Sequence, residues 1–259
     1  MGTTRRKFGI ELEFECAWKE LRKSASRIIN KVYGPKKYYA REATFESDTR
    51  LDKWHIKQDG GYDIAELTTP VSYKKDLIKI KRVVKGLRQE QLNPSDNCGF
   101  HVHLHIPDIN QYHFLAGWML CEKAILSCFP IDRRKSSYCE KIIEYPQQSK
   151  TLVANILEDK LNQSDHSHAI SFCSYEERQT VEIRIAEGTD NEDFVVSWIE
   201  FLLCLTDHIK TINPCLISNN KCNSVLFDDL IDELHLTKST REYMMKRYER
   251  YSKLPYWTH

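Results

Sequence analysis

Residues 7–16 read KFGIELEFEC, in which apolar and acidic side chains alternate. Successive side chains of a β-strand point to opposite faces of the sheet, so this period of two predicts a strand. One face of the strand is apolar, and the other carries the carboxylates of Glu11, Glu13 and Glu15. Glu11 and Glu13 lie two positions apart, which places their side chains on one face about 7 Å apart along the strand.

Other predicted strands repeat this division between an apolar face and a face of potential metal ligands. Their polar positions are Glu66 in residues 62–69, His101, His103 and His105 in residues 100–106, and Glu182 and Arg184 in residues 180–186. If these strands share a sheet, its polar face is a cleft lined by carboxylates and imidazoles. Such groups repel one another unless cations neutralise them. Carboxylates with one or two histidines suit Mg²⁺ or Mn²⁺, which also bind nucleotide phosphates.

Each polar pattern also has a simpler interpretation when it is taken alone. Glu11 and Glu13 are compatible with a solvated strand face, and Glu182 with Arg184 is compatible with an ordinary ion pair. The alternating histidines are compatible with a Zn²⁺ site or with a hydrogen-bonded network in the sheet. The occurrence of all these patterns in one chain favours the metal cleft.

The remaining patterns predict an α+β fold with mostly antiparallel strands. Strands at 54–58 and 62–69 flank Asp59-Gly60-Gly61, which is a hairpin signal. Helical periodicity is present at 74–90 and 114–128. Capping boxes at Thr189–Glu192 and Ser239–Glu242 predict the starts of two further helices, the first of which runs to about residue 209.

Composition limits the class of protein. The chain has 259 residues and is 41% hydrophobic, which is enough for a sizeable core, and its net charge of +1 indicates no bulk attraction to nucleic acid. Its nine cysteines contain no C-x-x-C pair and are predicted to be reduced thiols.

The sequence shows no signal-peptide core and no apolar run that could span a bilayer, so we expect a cytoplasmic protein without a membrane partner. Because no linker divides the chain, we expect a main domain at 1–212 with a helical extension at 213–259 packed on it.

Five segments, in order, resemble the amidoligases, a family of carboxylate–amine ligases with a glutamine-synthetase-like fold. They are GIELEFE at 9–15, WHIKQD at 54–59 with AELTTP at 65–70, GFHVH at 99–103, the stretch from Arg133 to Cys139, and TVEIRI at 180–185 with Gly188-Thr189. The resemblance covers about residues 7–210. It implies a mostly antiparallel curved sheet of the glutamine-synthetase catalytic type, with its apolar face covered by helices.

The resemblance also implies a reaction and a set of roles. A carboxylate takes the terminal phosphoryl group of ATP and becomes an acyl phosphate, which an amine then converts to an amide. Two or more Mg²⁺ or Mn²⁺ ions serve this transfer. The implied metal ligands are Glu11, Glu13, Glu66, His101 and Glu182. The implied nucleotide contacts are His103, Arg184 and Lys57, the implied catalytic residues are Arg184, Arg133 and Glu66, and the implied substrate contacts are Asp59 and Arg133.

Several questions stay open at the level of sequence. The doublet Arg133-Arg134 leaves the functional arginine ambiguous, and His105 extends the histidine face beyond the family pair. A metal-dependent hydrolase or phosphotransferase is an alternative that uses the same acidic cleft. A non-catalytic relative that binds a partner or nucleic acid, for example through the basic and aromatic helix at 241–251, is another. The sequence does not indicate which amine is used, or whether the carboxylate belongs to a small molecule or to a peptide. It does not determine the oligomeric state either.

Overall fold

The computed structural model describes residues 6–35, 38–40, 52–59, 64–137, 139–142, 168–212 and 225–253. The strands are β1 (Phe8–Glu15), β2 (Tyr38–Ala40), β3 (Trp54–Asp59), β4 (Ile64–Thr68), β5 (Gly99–His105), β6 (Ile170–Ser171) and β7 (Thr180–Glu187). The helices are α1 (Trp18–Tyr33), α2 (Leu77–Gln89), α3 (Gln111–Leu126), α4 (Ile131–Arg134), α5 (Tyr175–Arg178), α6 (Glu192–Ile209), α7 (Phe227–Glu233) and α8 (Lys238–Tyr251).

These strands form a sheet in the order β2-β3-β4-β1-β5-β7-β6. The pairs β1/β4, β3/β4 and β6/β7 are antiparallel, whereas β2/β3 is parallel. The predicted α+β class with a mostly antiparallel sheet is therefore confirmed. The predicted hairpin of β3 and β4 has the expected pairing, and its turn at Gly60 and Gly61 lies outside the described residues.

The described residues divide into two compact units. We call Arg5–His103 with Ala186–Val196 the N-terminal unit, and Leu104–Ile185 with Ser197–His259 the C-terminal unit. The C-terminal helices α7 and α8 thus belong to the same unit as α3 and most of α6. The expected main domain ending at residue 212 stays a prediction.

In the N-terminal unit, the core lies between the apolar face of the strands and helices α1 and α2. Ile10, Leu12 and Phe14 of β1 are at most 1% exposed, as the alternating pattern predicts. Helix α1 packs against β3, β4 and α2. The apolar stripe of α2 is buried as well, and its buried members are Leu77, Ile80, Val83, Val84 and Leu87.

The core of the C-terminal unit is a run of aromatic rings. Phe129 meets Trp198 edge to face with ring centres 4.9 Å apart, and Trp198 stacks on Phe201 at 5.5 Å. Phe227 of α7 stacks on Tyr248 of α8 at 4.5 Å. Because Phe201 and Phe227 also stack, the aromatic run joins α6, α7 and α8 in one core.

Polar groups inside the C-terminal unit fix the last helix. Glu200, which is 3% exposed, accepts hydrogen bonds from the hydroxyls of Thr237 and Thr240. The buried Arg134 guanidinium donates to the carbonyl oxygens of Phe129 at 2.7 Å and Tyr251 at 2.5 Å. These bonds connect α6 and α4 to the first and last turns of α8.

Two predicted helix starts are wrong by two residues. Asn191, not Thr189, caps α6, because its Oδ1 accepts from the N–H groups of Asp193 and Phe194, each at 3.0 Å. Thr189 instead accepts from the Asn191 N–H at 3.1 Å in the preceding turn. Thr237, not Ser239, caps α8 and accepts from the Thr240 N–H.

Among the described residues, no helix has the length and apolarity needed to cross a bilayer. The seven described cysteines are all unbonded, which agrees with the predicted reduced thiols.

Candidate functional site

Strand register in the N-terminal unit aligns polar residues in two rows. Antiparallel pairing places Lys57 of β3 opposite Glu66 of β4, and Glu66 opposite Glu13 of β1. The second row joins His55, Thr68 and Glu11 in the same way. Paired residues project from the same face of a sheet, so the three glutamates lie together on the face opposite the apolar core.

Strand β5 brings two imidazoles to this acidic face. His101 Nδ1 lies 3.3 Å from Glu11 Oε2, and its Nε2 lies 3.7 Å from Glu13 Oε1. His103 Nε2 lies 3.0 Å from Glu11 Oε1. The side chains of His101 and Glu13 are 7% and 10% exposed, whereas those of His103 and Glu11 are 25% and 22% exposed. Four residues predicted from the strand patterns are therefore in contact, and we call them with Glu66 the acidic patch.

The charge state of Glu11 follows from these contacts. Burial alone raises the pKa of a carboxyl group. At Glu11 the charge of His103 and hydrogen bonds from His101 and His103 outweigh burial and hold the pKa well below its ordinary value. Glu11 is therefore an ionised carboxylate at neutral pH, as a metal ligand must be.

Glu66 has a different countercharge. Its carboxylate is only 3% exposed, and Lys57 Nζ lies 3.0 Å from its Oε1. The Lys57 side chain is 44% exposed, so its ammonium reaches a buried carboxylate from the solvent side. Because Glu66 is buried, its negative charge needs a positive charge close by, and the half-exposed Lys57 supplies it.

Gly99 also shapes the acidic patch, although the sequence patterns did not predict a role for it. Its backbone N–H donates to Glu13 Oε2 at 2.5 Å, which orients that carboxylate. A Cβ atom at this position would lie 2.5 Å from His101 Nε2 and 3.4 Å from Glu13 Oε2. The available signal was the glycine that opens the histidine strand, since a glycine there is typical of close side-chain approach to the backbone.

The C-terminal unit contains the predicted residues of β7. Glu182 is buried, and its carboxylate pairs with the guanidinium of Arg184 two positions along the strand. Arg133 donates to the carbonyl oxygens of Arg184 at 3.0 Å and Ile185 at 3.4 Å. Arg133 therefore holds the backbone of the strand that carries Arg184, whereas Arg134 is bonded to Phe129 and Tyr251.

Two predicted positions lie outside these contacts. Asp59 is the last residue of β3, and its side chain is outside the described part of the chain. His105 ends β5 and is half-buried in the C-terminal unit.

The acidic patch has the chemistry of a hard-cation site. It offers carboxylate oxygens from Glu11, Glu13 and Glu66 together with imidazole nitrogens from two histidines. Glu13 and Glu66 are at most 10% exposed, and carboxylates this buried require positive charge close by. Mg²⁺ and Mn²⁺ prefer oxygen ligands, and Mn²⁺ also accepts imidazole, so the residues fit such an ion.

A sequence model for the family described as "Putative amidoligase enzyme" matches residues 4–206. The chain belongs to this amidoligase family. The matched residues include every member of the acidic patch as well as Glu182 and Arg184. The family predicted from the five ordered motifs is therefore confirmed.

Solved structures add a distant likeness. The chain is similar to one in the crystal structure of the complex between prokaryotic ubiquitin-like protein Pup and its ligase PafA, with 11% sequence identity and a TM-score of 0.37. The match covers 98% of this chain and 60% of that chain, so this chain spans less than two thirds of the length of the solved one. No curated protein matches the chain.

Proposed function

We propose that this amidoligase joins a carboxylate to an amine, with ATP and Mg²⁺ or Mn²⁺, through an acyl phosphate. The observation that carries the proposal is the acidic patch, in which glutamates and histidines from neighbouring strands share one face. Phosphoryl transfer between two anions needs cations at the bridging oxygens, and the patch supplies ligands of the right kind.

Five residues would hold two or more ions. They are Glu11, Glu13, Glu66, His101 and Glu182. Gly99 orients Glu13 through its N–H, and His103 neutralises Glu11. When bound, such ions neutralise the phosphate oxygens of ATP and stabilise the charge that develops during transfer.

Arginines on and beside β7 would serve the transferring group. The Arg184 guanidinium stabilises negative charge on the phosphoryl oxygens, while its pair with Glu182 fixes its direction. Arg133 positions this strand through two backbone carbonyls. It would also help to hold the phosphate or the substrate carboxylate. As the family resemblance implies, Asp59 would serve the substrate side, and Lys57 and His103 would contact the nucleotide.

The reaction has two displacement steps. A carboxylate oxygen of the first substrate attacks the terminal phosphorus of ATP, the bond to the bridging oxygen breaks, and ADP leaves. The amine nitrogen then attacks the acyl carbon, the carbon–oxygen bond breaks, and phosphate leaves with the amide formed. One proton is lost from the amine. The chemical identities of the carboxylate, small molecule or peptide, and of the amine are not part of the proposal.

The basic and aromatic helix α8 gives little support to the nucleic-acid alternative. Tyr248 stacks on Phe227, and the Arg247 guanidinium lies 5.2 Å from the Phe129 ring centre and donates to Cys128 O at 3.0 Å. Side chains engaged inside the protein are not available to stack on bases.

Calorimetric titration of a non-hydrolysable ATP analogue tests the nucleotide site. We expect micromolar binding that needs Mg²⁺ or Mn²⁺, disappears in EDTA, and is lost in Glu182→Gln and His101→Ala while circular dichroism stays unchanged. Glu15→Gln is the matched control, because Glu15 is an exposed glutamate on the same strand as Glu11 and Glu13. Absence of binding with either ion, together with tight Zn²⁺ binding, would overturn the proposal.

A second measurement separates the ligase from a hydrolase or phosphotransferase. ADP release is followed with pools of carboxylates and amines, and the products are identified by mass spectrometry. The proposal expects ADP release that depends on an added amine and that stops in Glu182→Gln. ADP release that never depends on an amine would favour the hydrolase or phosphotransferase.

A further inference from the structure

Lys57 and Glu66 form the ion pair at one edge of the acidic patch. They stand directly opposite each other on β3 and β4, and Nζ lies 3.0 Å from Oε1. On its other side Glu66 is paired in register with Glu13. The ammonium of Lys57 thus lies at the carboxylate that the proposed function assigns to a metal ion.

The two partners differ in their freedom to move. Glu66 is 3% exposed, so its position is fixed by its surroundings, whereas Lys57 is 44% exposed on a flexible four-carbon stem. Long lysine side chains keep their ammonium group in water while the stem lies along the protein surface. The pair can therefore separate by movement of Lys57 alone, without rearrangement of the strands.

A divalent cation and the ammonium compete for the same carboxylate. A doubly charged ion at Glu66 attracts the carboxylate more strongly than the single charge of Lys57 and repels the lysine. The displaced ammonium stays at the edge of the acidic patch, where phosphate oxygens brought in beside the ion can form a charge-assisted hydrogen bond with it.

We propose that Lys57 is the built-in countercharge of Glu66 in the ion-free protein, that it yields this carboxylate to a divalent cation, and that it then binds a phosphate group of the nucleotide. This inference rests on the proposed function, because it takes the same site to hold ions and ATP. Cation binding and phosphate binding are thereby coupled through one side chain. The nucleotide consequently binds together with the cation rather than alone.

The test uses Mn²⁺ alone and then Mn²⁺ with a non-hydrolysable ATP analogue, measured by titration calorimetry and by the electron paramagnetic resonance of Mn²⁺. In Lys57→Met we expect the affinity for Mn²⁺ alone to rise about threefold to tenfold, because a competing charge is removed. The affinity of the Mn²⁺-loaded protein for the analogue should fall by about tenfold. Lys57→Arg should recover most of the analogue affinity.

Lys81→Met is the matched control. Lys81 is 46% exposed and forms an ion pair with Asp193 at 2.5 Å in the same unit, outside the acidic patch. We expect it to leave both affinities at the wild-type values. If Lys57→Met does not fold, Lys57→Gln replaces it, since its amide keeps a polar group at this position without the charge.

The outcomes separate the two proposals. Opposite changes in the two affinities, confined to the Lys57 variants, support the inference. If the wild-type protein binds Mn²⁺ but the two affinities of Lys57→Met are unchanged or change in the same direction, the inference is wrong. The proposed function is then unaffected. Absence of Mn²⁺ and analogue binding to the wild-type protein overturns both.

Discussion

The backbone at Gly99 shapes the acidic patch in two ways. Its N–H binds the carboxylate of Glu13, and its missing side chain leaves room for the His101 ring. Groups that orient metal ligands without touching the ion commonly change metal affinity by about 10–100-fold when they are altered.

Gly99→Ala should therefore weaken Mn²⁺ binding by about tenfold or more, because the added methyl group displaces the His101 ring. Titration calorimetry with Mn²⁺ measures the effect, and circular dichroism checks the fold. Gly9→Ala is the control, since a Cβ at this strand glycine has no neighbour nearer than Thr69 Oγ1 at 4.0 Å. Equal Mn²⁺ affinity for Gly99→Ala and Gly9→Ala would contradict the role of Gly99.

At the scale of the strand, alternation predicted which side chains share a face, but it did not predict their neighbours across strands. The period of two placed Glu11 and Glu13 together and His101 and His103 together, because this depends on one strand only. The row of Lys57, Glu66 and Glu13 depends on the register of three strands, which local sequence does not specify. The same limit applies to Gly99, whose contact with Glu13 joins residues that are 86 positions apart.

The start of α8 supports a prediction about stability. Glu200→Ala should lower the free energy of unfolding by about 2–4 kcal/mol, because it removes the buried acceptor of the Thr237 and Thr240 hydroxyls. Urea unfolding followed by circular dichroism measures the change.

Glu242→Ala is the control for this measurement. Glu242 lies on the same helix, is 57% exposed, and faces Lys238 at 3.9 Å. Exposed pairs of this kind contribute less than about 1 kcal/mol. Equal losses of unfolding free energy in the two variants would contradict the anchoring role of Glu200.

For the whole molecule, burial decides the reactivity of the thiols. Cys98, Cys121, Cys128 and Cys139 are buried, whereas Cys173 is exposed. Burial raises the pKa of Cys121 to about 12, and burial with the charge of Glu20 raises that of the half-buried Cys16 to about 11. A raised pKa keeps the thiol protonated, and the thiolate is the form that reacts.

Among the seven described cysteines, alkylation of the native protein at pH 8 should therefore modify Cys173 first and leave the four buried ones unmodified. The rate of Cys16 alkylation should rise about tenfold per pH unit below its pKa of about 11, because the fraction of Cys16 in the thiolate form rises by the same factor. Peptide mapping by mass spectrometry after iodoacetamide treatment gives the rate of each described cysteine. Rapid native modification of Cys121 or Cys128 would contradict the packing of the C-terminal unit.

The bonds from α4 and its neighbours to α8 also bear on how the protein is made. The Arg134 guanidinium donates a hydrogen bond to the carbonyl oxygen of Tyr251, 117 residues later in the chain. Arg247 donates to the carbonyl oxygen of Cys128, 119 residues earlier. A ribosome delivers the chain from the N-terminus, so the guanidinium of Arg134 lacks this partner until synthesis reaches α8. The C-terminal unit consequently cannot complete its core on a partly made chain, and a nascent chain stalled before α8 exposes the aromatic surface that this helix covers.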